Sequence, residues 1–245
     1  MIRLALIGYG SMGQAVERLA PHHGCTVTAI FDEHRPFVEA TGGAFDVAID
    51  FTQPDAVLEN VRQACALRLP LVIGTTGWYQ HVEAVRAMVT AADIGLVYGT
   101  NFSIGVHMFL RVVAEAARLV NTQVDYDVML HEWHHGRKKD SPSGTALTLA
   151  ETILRHVDRK TGLQTEAIHG TPDASLLHVT STRGGSVPGT HTVWIDGPFD
   201  RLELTHEARS RDGFAGGALQ AATWIHDRKG IFDFTDVVSN LLGLP

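Results

Sequence analysis

The stretch IRLALIGYGSMGQAVERLA, residues 2–20, runs from an apolar segment through Gly8, Gly10 and Gly13 into apolar side chains at helical spacing. In a GxGxxG turn the first glycine permits the tight reversal and the second lets backbone approach a pyrophosphate. The third allows close helix packing. The helix start also offers N–H groups without intrahelical partners, which suit an anion. Asp32 follows Gly13 by nineteen residues and closes the next apolar run, where a carboxylate would accept hydrogen bonds from a ribose diol. An ordinary strand-to-helix turn shares the glycine spacing but has no need of that acid. The stretch therefore predicts a dinucleotide cradle built from Gly8, Tyr9, Gly10, Ser11, Met12, Gly13 and Asp32. A 2′-phosphate would be repelled by Asp32 and Glu33 and partly accommodated by His34 and Arg35, so NADH is favoured and NADPH left open.

Outward from this stretch the same rhythm repeats. Apolar runs at residues 27–31, 47–51, 71–76 and 94–99 alternate with helical spacings at 12–20, 55–68 and 79–92. Strands that are apolar throughout belong in a parallel sheet covered by helices on both faces, so this part is α/β, a Rossmann-type doubly wound sheet. Loops after the strands line the ligand crevice of such a sheet, which adds Gly74, Thr75, Thr76, Thr100, Asn101, Phe102 and Ser103 to the cofactor candidates. Helix capping would explain their hydroxyls equally well. From residue 104 the pattern changes to a helical run at 105–120 and alternating runs at 124–130, 177–183, 191–196 and 201–208. Alternation predicts an α+β unit on an antiparallel or mixed sheet with one face less buried. A helix over residues 214–228 returns the chain to the first part. The expected domains are residues 1–103 with 212–245, and 104–211.

A chain of 245 residues with 44% hydrophobic content can bury a substantial core, in one large domain or two small ones. Its formal net charge of −7 argues against nucleic acid as a partner. Two cysteines, Cys25 and Cys65, give neither a disulfide framework nor a zinc ribbon, which fits a reducing compartment. No apolar run reaches the ~20 residues needed to cross a membrane, and the glycine turn comes too soon for a signal peptide. A cytoplasmic protein is expected.

His131, Glu132 and His135 spell HExxH, the zinc-peptidase signature, which requires a helix that brings both histidines to one ion. The run before His131 alternates like a strand, and GRKKDSPSG after His135 cannot continue a helix. On a strand, residues four apart are separated by roughly 13 Å, so no metal is expected. His134, His135, Arg137, Lys138 and Lys139 instead concentrate positive charge in an acidic chain. They precede SPSGTALTLAETILRHV, in which Ser143 is placed to cap a helix and the N–H groups of Gly144 and Thr145 to face an anion. A solvated basic loop before a capped helix is the plainer alternative.

EWHHGRKKDSPSGTA, residues 132–146, resembles the E-x-H-H-x-x-K-x-D-x-P-S-G-T-A motif of the dihydrodipicolinate (4-hydroxy-tetrahydrodipicolinate) reductases of lysine biosynthesis. DFT, GTTG, NFSIGV, RGGSVPGTH and SRDGFAGGALQAATW follow the family order, so the resemblance spans nearly the whole chain. It implies NADH- or NADPH-dependent reduction of a small cyclic imine dicarboxylate, without metal, by a cytoplasmic homotetramer whose second domain serves substrate binding and oligomerisation. By carry-over, His134 donates or accepts a proton, Lys138 donates one, and His135, Ser143, Gly144 and Thr145 bind substrate. Arg211 matches an arginine near the interdomain hinge. A His134 ring near its ordinary pKa would exchange protons at cytosolic pH. The sequence departs from the family in a glycine turn one residue shorter and in Glu33, where a basic residue is usual. An amino-acid dehydrogenase would share the glycine turn without needing His134, His135, Lys138 and the PSGT helix start together. A nucleotide-sensing regulator would have no use for the proton-transfer residues.

Overall fold

The computed structural model describes residues 1–41 and 43–243. The chain divides into two compact units, one of residues up to Ile104 together with those from Arg211 onward, the other of Gly105–Ser210. In chain order the first unit opens with β1 (Ile2–Ile7), α1 (Ser11–Leu19), β2 (Cys25–Phe31), β3 (Val47–Asp50), α2 (Val57–Ala66), β4 (Leu71–Ile73), α3 (Val82–Ala92) and β5 (Gly95–Tyr98). Next come α4 (Ile104–Asn121), β6 (Asp127–His134), α5 (Gly144–Leu154), β7 (Gly162–Gln164), β8 (Leu176–Arg183), β9 (Thr190–Asp196) and β10 (Arg201–Glu207). The chain closes with α6 (Asp212–Ile225), β11 (Gly230–Asp233) and α7 (Phe234–Leu241).

The first unit is a six-stranded sheet in the order β11-β5-β4-β3-β1-β2, parallel throughout. Alternate residues of each strand enter opposite layers. Leu4, Leu6, Val47 and Ile49 pack with residues of α1, α6 and α7, whereas Ala5, Ile7, Ala48 and Leu71 pack with residues of α2 and α3. Burial on both faces is why these strands read as continuous apolar runs. β11 and α7 have no counterpart in the pattern reading. β11 is four residues long without alternation, and α7 is announced only by the capping box of Asp233 and Asp236.

The second unit is a five-stranded sheet in the order β10-β9-β6-β8-β7. β9 runs antiparallel to β10 and β6, but β6–β8 and β7–β8 are parallel pairs, so the sheet is mixed rather than antiparallel. Alternation in the sequence reports a sheet with one well-buried face, not the direction of pairing. Between β6 and β8 lies the crossover helix α5, the connection that parallel neighbours require. One face buries Val128, Leu130, Val179, Val193 and Ile195 with residues of α4 and α5. On the other, His131 stacks on Trp194, and Trp133 is 45% exposed.

Within α6, a Cβ at Gly217 would overlap the Phe102 carbonyl oxygen, while one at Gly216 would meet nothing closer than 3.6 Å. Gly217→Ala should therefore destabilise the fold by about 1–3 kcal/mol through overpacking. Gly216→Ala should be neutral or stabilising by up to about 1 kcal/mol, from helix propensity alone. Urea denaturation of the two variants checks this contrast.

Candidate active site

The glycine turn lies between β1 and α1. Gly8 has φ +88°, and a Cβ there would overlap the Phe51 carbonyl; a Cβ at Gly13 would overlap the Gly8 carbonyl. A side chain at either position would push the turn apart. A Cβ at Gly10 would meet nothing within 4 Å, and Gly10 is the N-cap of α1 without a side-chain cap. Backbone donors at an open helix start fit a pyrophosphate. Arg211 Nη1 donates to Ser11 Oγ at 2.6 Å, tying the residue before α6 to this turn. The Tyr9 hydroxyl bonds Glu17, and Met12 packs against the core. Asp32 follows β2, and its Oδ1 accepts the N–H groups of His34 (2.9 Å) and Arg35 (3.1 Å).

The other strand-end loops are organised by Asp50, the first residue of the DFT stretch. Asp50, fully buried at the end of β3, accepts from the Thr52 N–H (2.9 Å) and hydroxyl (2.7 Å), the Thr75 hydroxyl (2.9 Å) and the Asn60 amide (2.9 Å). Burial pushes its carboxyl above the ordinary range despite these bonds. The Thr75 hydroxyl is thus turned inward. Gly74 packs so closely on Phe51 that a Cβ would overlap the ring. Thr76 and Thr100 are exposed, and Asn101 Oδ1 accepts the Ser103 N–H at 2.8 Å. Phe102, 2% exposed, is a core side chain packed on Phe234.

In the second unit, HExxH lies on β6 and its end, not on a helix. His131 faces away from Glu132; its Nδ1 is 2.7 Å from Thr180 Oγ1. Glu132 and His134 share the buried face. The register places Glu132 between Ser181 of β8 and His191 of β9, and His134 beside Arg183. Glu132 Oε1 accepts from the Ser143 N–H (2.9 Å), Ser181 Oγ (2.8 Å) and Arg183 Nη2 (2.6 Å). Glu132 Oε2 lies 3.3 Å from His134 Nδ1 and 3.6 Å from His191 Nε2. Burial alone would raise the Glu132 carboxyl, but nearby His191 and the hydrogen bonds from Ser143, Arg183 and Ser181 outweigh it and hold the group well below the usual carboxylate range.

His134 departs from expectation. Burial pushes its imidazole down to about 4, with His191, Lys138 and Arg183 adding to the depression and Glu132 opposing it. The ring is neutral at cytosolic pH, because desolvation outweighs the adjacent carboxylate. Ser143 takes the capping role expected of it. It is 2% exposed, its N–H is taken by Glu132, and its Oγ caps α5 through the Ala146 N–H at 3.2 Å and lies 3.2 Å from His191 Nε2. Beyond it Gly144 is open, with nothing within 4 Å of a Cβ position. The His135 N–H bonds Val187 O (2.9 Å), and its carbonyl accepts from the Lys138 N–H (3.1 Å). Lys138 Nζ pairs with Asp140 at 2.9 Å, while Arg183 Nη2 also donates to Asp140 O at 2.6 Å. Ser181 has no sequence signal, whereas Arg183 and His191 open and close the RGGSVPGTH stretch, which gives them no role by itself.

The profile described as dihydrodipicolinate reductase, N-terminus, matches residues 2–102, and that described as dihydrodipicolinate reductase, C-terminus, matches residues 105–238. The chain belongs to the dihydrodipicolinate reductase family. It is 37% identical over 240 residues to the 4-hydroxy-tetrahydrodipicolinate reductase of Christiangramia forsetii, covering 98% of this chain and 99% of that one. Identity to the enzyme of the same name from Chromobacterium violaceum is 39% over 208 residues, 82% and 76% of the two chains. Among solved structures, a dipicolinate-bound dihydrodipicolinate reductase from Paenisporosarcina sp. TG-14 superposes with TM-score 0.76 at 22% identity, over 96% of this chain and 99% of that one. An engineered D-amino acid dehydrogenase superposes with TM-score 0.53 at 16% identity, over 99% of both chains. At such identities the likeness is one of fold, which these reductases share with other dehydrogenases.

The depressed His134 pKa sets a sign for stability against pH. Above about 6.5 the ring is neutral folded and unfolded; between about 6.5 and 4 only the unfolded chain takes the proton, so stability falls as pH falls. From pH 7 to pH 5 the wild type should lose on the order of 1 kcal/mol more than His134→Gln. Denaturant midpoints at the two pH values measure this difference.

Proposed function

We propose that this protein reduces 4-hydroxy-tetrahydrodipicolinate, by way of dihydrodipicolinate, to tetrahydrodipicolinate in the diaminopimelate and lysine pathway. The observation that carries the reading is the conjunction on β6 and α5 of a buried histidine, the Lys138 loop and an open helix start. A nicotinamide dinucleotide supplies the hydride, and the protein handles the accompanying proton and the substrate charge. Gly144 and Thr145 offer backbone N–H groups at the start of α5 to a carboxylate, with His135 beside them. Two carboxylates arriving near His134 would raise its pKa from about 4, so the ring gains proton affinity when substrate is present. His134 thus donates or accepts the proton, and Lys138 is the donor that accompanies reduction.

The glycine turn, Asp32 and the loops at residues 74–76 and 100–103 hold the cofactor. NADH is the favoured donor. The groups that could offset a 2′-phosphate are drawn elsewhere: His34 Nε2 lies 3.6 Å from Glu33, and the Arg35 guanidinium stands 4.9 Å from the Phe31 ring centroid. Arg211 supports the turn through Ser11 as well as marking the domain boundary. Donor atoms of Glu132, His134 and His191 come within 4.8 Å of one another, a metal-like grouping. With the Arg183 guanidinium 2.6 Å from the same carboxylate, we read it as proton-handling machinery. The partly exposed sheet face bearing His131, Trp133 and Trp194 supports self-association, and we assign a cytoplasmic homotetramer.

Turnover is tested by following NADH and NADPH oxidation with substrate generated by the preceding synthase. His134→Gln and Lys138→Ala should each lose roughly 10²-fold or more in kcat, the scale of general acid–base catalysis. NADH should give the higher kcat/KM, and EDTA should leave the rate unchanged. No oxidation by the wild type overturns the assignment, and loss of activity to EDTA overturns its metal-free chemistry.

A further inference from the structure

We propose that Glu132 is the positioning residue of this site, fixing the His134 tautomer with one carboxylate oxygen while the other anchors the start of α5 and the Lys138 loop. The inference rests on the reductase reading above and concerns a residue that would touch neither substrate nor cofactor. Glu132 is 0% exposed, and its two oxygens face different tasks. Oε1 is saturated by three donors: the Ser143 N–H at the start of α5, Ser181 Oγ and Arg183 Nη2. That same Arg183 nitrogen donates to the carbonyl of Asp140, whose carboxylate pairs with Lys138. Through one oxygen, the strand therefore sets the helix start and the loop that carries the lysine.

Oε2 is left for the histidine. It lies 3.3 Å from His134 Nδ1, close but not aligned as a hydrogen bond, and both atoms are buried with no hydrogen-bond partner among the described residues. An ionised carboxylate only accepts, so the stable arrangement places the proton on Nδ1 and leaves Nε2 as the lone-pair nitrogen. Nε2 is directed towards Gly189, where a Cβ would approach within 2.8 Å of it. Four titratable or charged groups face the ring: Glu132 and Lys138 from its own segment, Arg183 from β8 and His191 from β9. Glu132 is the one anion among them.

Replacement by glutamine separates this role from mere support. Glutamine has the same shape but one acceptor oxygen. If that oxygen stays with the three donors, its NH₂ faces His134 Nδ1, which must then accept, and the ring proton moves to Nε2. Histidine ring ¹⁵N shifts, assigned with His134→Gln, should show Nδ1–H in the wild type and Nε2–H in Glu132→Gln. The variant should also lose roughly 10²-fold in kcat with little change in KM, since the proton-transfer step is the one affected. A wild-type ring protonated on Nε2 overturns the proposal, and that measurement stands even if Glu132→Gln does not fold. So does a folded Glu132→Gln that keeps the Nδ1–H tautomer and wild-type kcat while only melting earlier. Failure of the wild type to turn over substrate would count against the reductase reading and leave the tautomer result standing.

Discussion

A carboxylate with no solvent exposure must be compensated on every side or the fold that buries it is not stable. At Glu132 the compensation comes from five places in the chain: Ser181 and Arg183 on β8, His191 on β9, the Ser143 N–H at the start of α5, and His134 two residues along the same strand. That requirement fixes the second sheet. A slip of β6 by one residue would present His131 and Trp133 to these partners and turn Glu132 to the opposite face. Strand register, helix start and the basic loop are thus held to one buried charge.

The first unit meets a comparable constraint by shape. Gly8 and Gly13 lie where a Cβ would overlap backbone, so β1, the turn and α1 approach closely, and the first N–H groups of the helix remain open at Gly10. Asp50 plays the part in this sheet that Glu132 plays in the other: a buried acid, fully hydrogen-bonded, that fixes the loops after β3 and β4. Both acids gather surrounding donors that keep loops still while leaving neighbouring backbone available. Loops positioned by a rigid scaffold are where binding and catalysis concentrate.

Burial also accounts for the chemistry assigned to His134. A solvated imidazole beside a carboxylate would be partly charged at neutral pH, whereas this one is held neutral. On the proposed reading, a neutral ring in a cationic neighbourhood suits a doubly negative substrate, because such a ligand would restore the ring's affinity for a proton.

Local pattern carried much of this molecule. Glycine spacing, Asp32 and the alternation of apolar runs with helical segments specify a parallel, doubly wound sheet; the strand character before His131 and the Pro and Gly after it exclude a helical zinc motif; Ser143 announces the start of α5. These features are legible because each depends on neighbours within a few residues, through periodicity, capping or turn sterics. What pattern could not yield depends on distant pairing. The parallel β6–β8 register brings Ser181 and Arg183 to Glu132, β9 brings His191, and the resulting burial moves His134 far below its ordinary pKa. The Glu132 carboxylate likewise claims the N–H of Ser143 from eleven residues away, which no local pattern announces. The sequence by itself determined most of the elements and the doubly wound class of the first sheet. Tertiary structure alone decided how the chemistry is tuned, because desolvation and charge act through space and not along the chain.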